Sequence, residues 1–266
     1  MATLDSVNVG RPEPNLWKSV ASTGIDKRPQ EGPVALRDPG PRTTGLGSGL
    51  IGDFVGDAAH HGGTDQAVYA FAREDLDDWE RRLGRTLPNG FFGENLTTRG
   101  LDVNGARLGE RWRLGGTAEL VVTCPRIPCN TFRGWVGGHD WLKVFTRAAR
   151  PGAYLRVVTP GPIAAGDAVE IVHRPDHDVT VALTYRAITT ERELLGRLLA
   201  AGDDLIEELR RDLPNVKDRR DSGAVVMRQA MSPEAVLAAL DEEVISPDGS
   251  ISPSTSTSPS TPAAAR

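Results

Sequence analysis

Residues 121–132 read VVTCPRIPCNTF, an apolar run that breaks at two prolines and holds both cysteines of the chain. Its first half ends a strand, because residues 118–124 (AELVVTC) are apolar and rich in β-branched side chains. Its second half is a loop, since Pro125 and Pro128 remove backbone donors and hold the chain extended. Outward from this stretch the same texture repeats. Short strand candidates with glycine and proline punctuation lie at residues 4–10, 24–29 and 33–37, and from Leu50-Ile51-Gly52-Asp53 onward. Others lie at residues 106–115, 153–161 and 167–173. Many short strands at such spacing indicate a barrel or sandwich, closing near His173. One helix interrupts them: residues 73–84 (REDLDDWERRLG) put Leu76, Trp79 and Leu83 on one face, acids in the first turn and Gly84 at the end.

From residue 178 the pattern becomes helical. Thr190 and Glu193 have capping-box spacing ahead of Leu194, Leu195, Leu198 and Leu199. A second segment after Gly202 turns Leu205, Ile206 and Leu209 inward and stops at Pro214. Ser232 and Pro233 open a third. The Ser/Thr/Pro-rich end has nothing to bury and is expected to be disordered. The expected organisation is therefore a mainly β barrel domain with an inserted helix over residues 1–176, a small C-terminal helical appendage over 177–240, and a tail over 241–266.

The whole chain has 266 residues, enough for a sizeable core, with 36 acidic against 31 basic side chains and a net charge of -5. That balance gives no general attraction to nucleic acid or to an anionic membrane. No run approaches the ~18 consecutive apolar residues of a membrane span, and the first residues lack the layout of a secretory signal, so a cytoplasmic protein is expected. Two cysteines are too few for a disulfide framework, and their role is chemical or steric.

Three polar or glycine-rich stretches stand out: HHGGTDQAVYAF (residues 60–71), FFGENLTTRGL (91–101) and CPRIPCNTF (124–132). His60 and His61 could begin a metal site or simply close a turn, and adjacent residues of an extended segment face opposite ways. Gly62 and Gly63 could form a nest of amides for an anion or an ordinary β-turn. Glu94 and Asn95, set between aromatic and apolar neighbours, point to a hydrogen-bonding network or a ligand contact. Cys124 closes an apolar strand and reads as a small buried hydrophobe. Cys129 differs. It follows Pro128, has Arg126 three residues back, and precedes Asn130, Thr131 and Arg133. An electropositive, polar loop of this kind lowers a thiol pKa and produces a nucleophile or a metal ligand.

Together these stretches resemble the MOSC family, the C-terminal domain of molybdenum-cofactor sulfurases, and in particular its YiiM-like branch with a three-α appendage. The resemblance rests on Gly52-Asp53, on the run from His61 through Asp65 to Phe71, on Phe92-Gly93-Glu94-Asn95-Leu96, and on Pro125-Arg126-Ile127-Pro128-Cys129-Asn130-Thr131-Phe132. It departs at Gln66, where many members carry lysine. What the resemblance implies is a β-barrel in which Cys129 binds the molybdenum of a pyranopterin cofactor or carries sulfur as a persulfide, with Cys129 and Arg126 catalytic. The cofactor contacts it implies are His61, Gly62, Gly63, Asp65, Glu94, Asn95, Leu96, Arg126, Asn130 and Thr131. Lys27, Arg28 and Arg126 are the candidates for its phosphate.

The expected activity is that of an oxidoreductase acting on an N-hydroxylated small molecule, with electrons from a separate reductase. The chain has no cysteine cluster for iron–sulfur and no G-x-G-x-x-G turn for a flavin or nicotinamide. The alternative is a sulfur carrier or sulfurtransferase using a Cys129 persulfide, and a binding domain without chemistry is a third. Pyridoxal phosphate is not expected, because no lysine stands in a recognisable Schiff-base setting.

Overall fold

The computed structural model describes residues 1–138 and 140–213. Within them the strands are β1 (Ala2–Gly10), β2 (Glu13–Pro14), β3 (Ser22–Thr23), β4 (Lys27–Pro29), β5 (Val34–Leu36), β6 (Val68–Ala72), β7 (Leu96–Arg99), β8 (Arg111–Leu114), β9 (Ala118–Pro125), β10 (Ala153–Thr159), β11 (Gly161–Ile163) and β12 (Ala168–His173). The helices are α1 (Arg73–Leu83), α2 (Asn130–Val136), α3 (Trp141–Ala148), α4 (Val181–Thr189) and α5 (Glu207–Asp212). Seven strands close into a barrel in the order β12-β8-β9-β10-β6-β7-β1, and β1 returns to β12 through Ala2 and Val169. The fold is mainly β, as the sequence indicates.

All pairs in the barrel are antiparallel except β6 with β7, which run parallel with Ala70 opposite Leu96. Parallel neighbours need a crossover connection, and α1 supplies it. The inserted helix is thus a requirement of the strand order. Leu76 and Trp79 are buried under it, and Gly84 ends it in the left-handed conformation, donating its N–H to the Glu80 carbonyl.

β6 is buried on both faces. Val68, Ala70 and Ala72 join the barrel interior with Leu4, Trp112, Leu120, Val122 and Leu155. Tyr69 and Phe71 face outward into a second, aromatic core built from Phe92, Phe132, Trp141, Phe145 and Trp79. Trp79 and Trp141 meet edge-on at 4.9 Å, and Phe92 lies 5.2 Å from both Phe71 and Phe132. Helices α2 and α3, which the strand pattern did not suggest, exist to cover this outer face.

Two expectations are corrected. The run from Leu50 forms a turn and a single bridge to Leu36 in place of a strand, since Gly52 adopts φ 90 and the Asp53 carboxylate gathers the surrounding donors. The helix expected after Thr190 is replaced by 3-10 turns without a Thr190 side-chain cap, and a helix that was not expected, α4, comes before it. Thr180 caps α4 by accepting from the Leu183 N–H at 3.1 Å, while Thr190 ends α4, its N–H bonded to the Arg186 carbonyl. Residues Arg192–Asp204 then follow as 3-10 turns with a break at Gly202. Val181, Leu195, Leu198, Leu205, Ile206 and Leu209 pack into the same core as the barrel interior. The expected helix at Ser232 and the Ser/Thr/Pro tail lie outside the described residues.

Candidate active site

β9 carries the chain to the site and separates the two cysteines. Cys124, on the strand, belongs to the barrel core, and burial pushes its thiol up to about 12. Pro125 to Pro128 then lead the backbone across to the aromatic core, where Cys129 precedes the first turn of α2 with extended φ and ψ of -125 and 171. Burial acts to raise the Cys129 pKa. The hydrogen bond and charge of His61, the charge of Arg126 and the Phe132 amide together outweigh it and bring the thiol down to about 6.

Cys129 sits in the wall of a cleft between the 54–57 loop, the short hairpin of β2 and β3, and the outer face of β6. Arg126 faces the same space. Its guanidinium lies 3.7 Å from the centre of the Phe132 ring and 5.7 Å from that of Tyr69, and only 4% of the residue is exposed. Its Nη1 is buried without a hydrogen-bond partner. A cation held between rings with a donor left over is arranged to meet an anion that enters the cleft. Gln66, also in the wall, is the second buried side chain with unpartnered polar atoms, Oε1 and Nε2 alike.

Several other polar groups of the wall are bonded within the protein. Asp53 accepts from the Gly10 N–H at 2.7 Å, the Ser48 hydroxyl at 2.6 Å, Asn95 Nδ2 at 2.9 Å and the Lys27 ammonium, tying four segments together. Asp57 accepts from Lys18 at 2.7 Å and His60 at 2.9 Å; burial opposes its ionisation, but these two partners hold its carboxyl down at about 2. Thr131 accepts from Asn15 at 3.2 Å, which fastens the β2–β3 hairpin to α2.

The structure brings His61, Gly62, Asn95, Arg126, Cys129 and Thr131 to the cleft and leaves the other expected contacts outside its wall. Gly63 donates its N–H to the Gly47 carbonyl, and a Cβ there would lie 2.6 Å from the Arg42 Cα; its glycine serves a close backbone crossing. Asp65 pairs with Arg156. Glu94 is fully buried and accepts from the Gly90 N–H at 2.6 Å, the Phe92 N–H at 3.0 Å and the Thr97 hydroxyl at 2.9 Å, so it braces its own loop; burial raises it to about 7. Leu96 belongs to the barrel core, and Asn130 lies off the wall at the start of α2. Of the phosphate candidates, Lys27 lies in the wall but is paired with Asp53, and Arg28 is exposed beside Asp26. Tyr69 and Lys18 are wall residues that the motifs did not single out. Tyr69 was legible as the outward partner of Val68 in β6, whereas Lys18 stands in a segment without pattern.

The MOSC domain family model matches residues 57–170, a span that runs from the Asp57–His60 pair through Cys129 to β12. Bacillus subtilis YflK is 31% identical over 182 residues, covering 68% of this chain and 78% of that protein. The crystal structure of YiiM from Geobacillus stearothermophilus superposes with a TM-score of 0.65 at 26% identity, covering 81% of this chain and 99% of that one. The chain belongs to the MOSC domain family, and its fold is that of YiiM. A protein of Gibberella moniliformis named "Reductase" is 28% identical over 199 residues, which is 73% of this chain but 34% of that much longer protein.

The residues present suit a pyranopterin molybdenum cofactor. Among the described residues no group of three or more His, Cys, Asp or Glu is placed to hold a metal ion, so the protein offers a metal little beyond Cys129 and the cofactor would have to bring the other ligands itself. The unpartnered Arg126 Nη1 and Gln66 carboxamide, both on residues that line the cleft, are the donors and acceptor that such an anionic heterocycle would complete.

Proposed function

We propose that this protein is an oxidoreductase that holds a molybdenum cofactor through Cys129 and reduces N-hydroxylated small molecules with electrons from a separate reductase. The observation that carries this reading is the meeting, in one cleft, of a thiol brought down to about 6 with a buried guanidinium whose Nη1 has no partner. Membership of the family and the likeness to a relative named as a reductase support it.

At neutral pH Cys129 offers a thiolate, the soft ligand that molybdenum takes. His61 and Arg126 both favour that thiolate, Arg126 by a fixed positive charge beside it. When bound, the cofactor supplies two-electron oxygen-removal chemistry. Overall, the N–O bond of the substrate breaks, two electrons and two protons enter, and an N–H compound and water leave. Tyr69, Phe92 and Tyr154 in the wall keep the cleft apolar around the polar groups and so exclude bulk water from them. No helix among the described residues is long and apolar enough to cross a membrane, and the substrate and reductase would meet the cleft from its open side.

The test is elemental analysis on protein made in a host that produces the cofactor, beside an assay for cyanide-labile sulfur. About one molybdenum per chain, lost in Cys129→Ser, is the expected result. Cyanide-labile sulfur on Cys129 without molybdenum would overturn it in favour of a sulfur carrier.

A further inference from the structure

Gln66 closes the short 3-10 turn Thr64–Gln66 immediately ahead of β6. It is 4% exposed, it is one of the residues that line the cleft, and neither Oε1 nor Nε2 has a hydrogen-bond partner. The other carboxamide of that wall with comparable burial behaves differently. Asn95 Oδ1 accepts from the Tyr69 N–H at 3.1 Å, and its Nδ2 donates to Asp53 at 2.9 Å and to the Asn8 carbonyl at 3.3 Å. Asn95 is therefore part of the frame, whereas Gln66 is a complete donor–acceptor pair that the protein leaves open. Buried amides are bonded at both ends as a rule, and one left open inside a cleft marks where a ligand finishes the network.

The chemistry of the missing partner follows from what a carboxamide presents, two N–H donors beside a carbonyl acceptor. A phosphate or carboxylate only accepts. It would satisfy Nε2 and set its charge against Oε1. A ring lactam, with N–H and C=O side by side, satisfies both atoms at once in a cyclic pair. Arg126 Nη1 is donor only and positively charged, and so takes the anionic part of a ligand. We propose that Gln66 is a specificity-determining residue that reads the neutral lactam edge of a heterocycle, dividing the ligand with Arg126. This rests on the cofactor reading and deepens it, because it assigns Gln66 to the pterin ring and not to the phosphate.

The experiment titrates pterin, which carries the lactam edge and no phosphate, and separately inorganic phosphate, into the full chain purified from a host unable to make the cofactor. Wild type, Gln66→Leu and Gln66→Met are compared, with pterin fluorescence and calorimetry as readouts. The expected result is pterin binding weakened about tenfold or more in both variants, with phosphate binding unchanged. The thermal midpoints of both variants should stay at or above wild type, because the amide removed makes no bond within the protein. Unchanged pterin binding in the variants overturns the assignment of Gln66 and leaves the cofactor reading standing. So does a fall in both thermal midpoints, which would mean an internal role for the amide. Loss of phosphate binding in the variants would mean that Gln66 serves an anion and overturns it equally. Wild type that binds neither probe overturns the cofactor reading, and this inference with it.

Discussion

Five positions along the chain separate a thiol at about 12 from one at about 6, and the difference lies in which core each joins. Cys124 packs among Leu120, Val122 and Leu155, where burial is the dominant influence on it. Cys124→Ala should therefore cost about 1 kcal/mol of stability and leave molybdenum content and turnover intact, as unfolding curves and a reductase assay would report. Cys129→Ser is expected to abolish turnover and metal retention with little change in thermal midpoint. Titration distinguishes the two thiols without mutation. In cofactor-free protein, alkylation of Cys129 by iodoacetamide should rise with pH through a midpoint near 6 and level off above it, while Cys124 stays unreactive in native protein. The linkage has a definite sign. A thiol depressed in the folded state stabilises it fully above the ordinary thiol pKa, and that contribution is lost as pH falls through about 6.

At the scale of elements, the loops that carry motif residues are held by those residues more than they present them. Gly63 permits the 62–64 turn to cross the 40–47 loop, with φ 78 and no room for a side chain. Gly63→Val should lower yield and thermal midpoint before any ligand is considered, which differential scanning would show. Glu94 organises the turn before β7 through two N–H groups and a hydroxyl. In Glu94→Gln an amide N–H would face the Phe92 N–H, at a cost of about 1–3 kcal/mol. The wild-type carboxyl, raised by burial to about 7, favours the fold most when neutral, and loses roughly 3 kcal/mol of that advantage as pH rises from its ordinary value through about 7. The stability gap between wild type and Glu94→Gln should accordingly narrow over that interval in denaturant titrations.

These same loops show what the sequence could carry. The strands, α1 with Leu76 and Trp79, and Cys129 beside Arg126 were legible because periodicity and local charge are properties of neighbours in the chain. That Glu94 turns inward while Asn95 borders the cleft was not, because it depends on Asn8, Thr97 and Asp53 arriving from elsewhere. Helices α2 and α3 were missed for a related reason. Their apolar residues Phe132, Trp141 and Phe145 answer the outward side chains of β6, and only the folded barrel reveals that this strand has two faces to bury.

At the scale of the whole molecule, the region after β12 is integral to the core. Val179, Val181, Leu183, Leu195, Leu198 and Leu209 share the hydrophobic cluster of the barrel interior. A chain cut after His177 would expose the apolar surface they cover. It should be recovered as aggregate or as a form that binds hydrophobic dyes, whereas a folded, monodisperse fragment by light scattering would contradict this.

The pairing of Ala2 with Val169 bears on how the polypeptide is made. One edge of β1 can bond to β7 once the chain through Arg99 has emerged, and Asn8–Gly10 on the other edge find β4 early, but Ala2 and Thr3 on that edge have no partner until β12 leaves the ribosome. At about 5–20 residues per second, that end of the edge waits on the order of ten to thirty seconds, unpaired and able to join the wrong strand. Synthesis is the interval in which this barrel is most exposed to misassembly, and a chaperone that shields β1 while it waits should raise its yield more than any stabilising change in the finished fold.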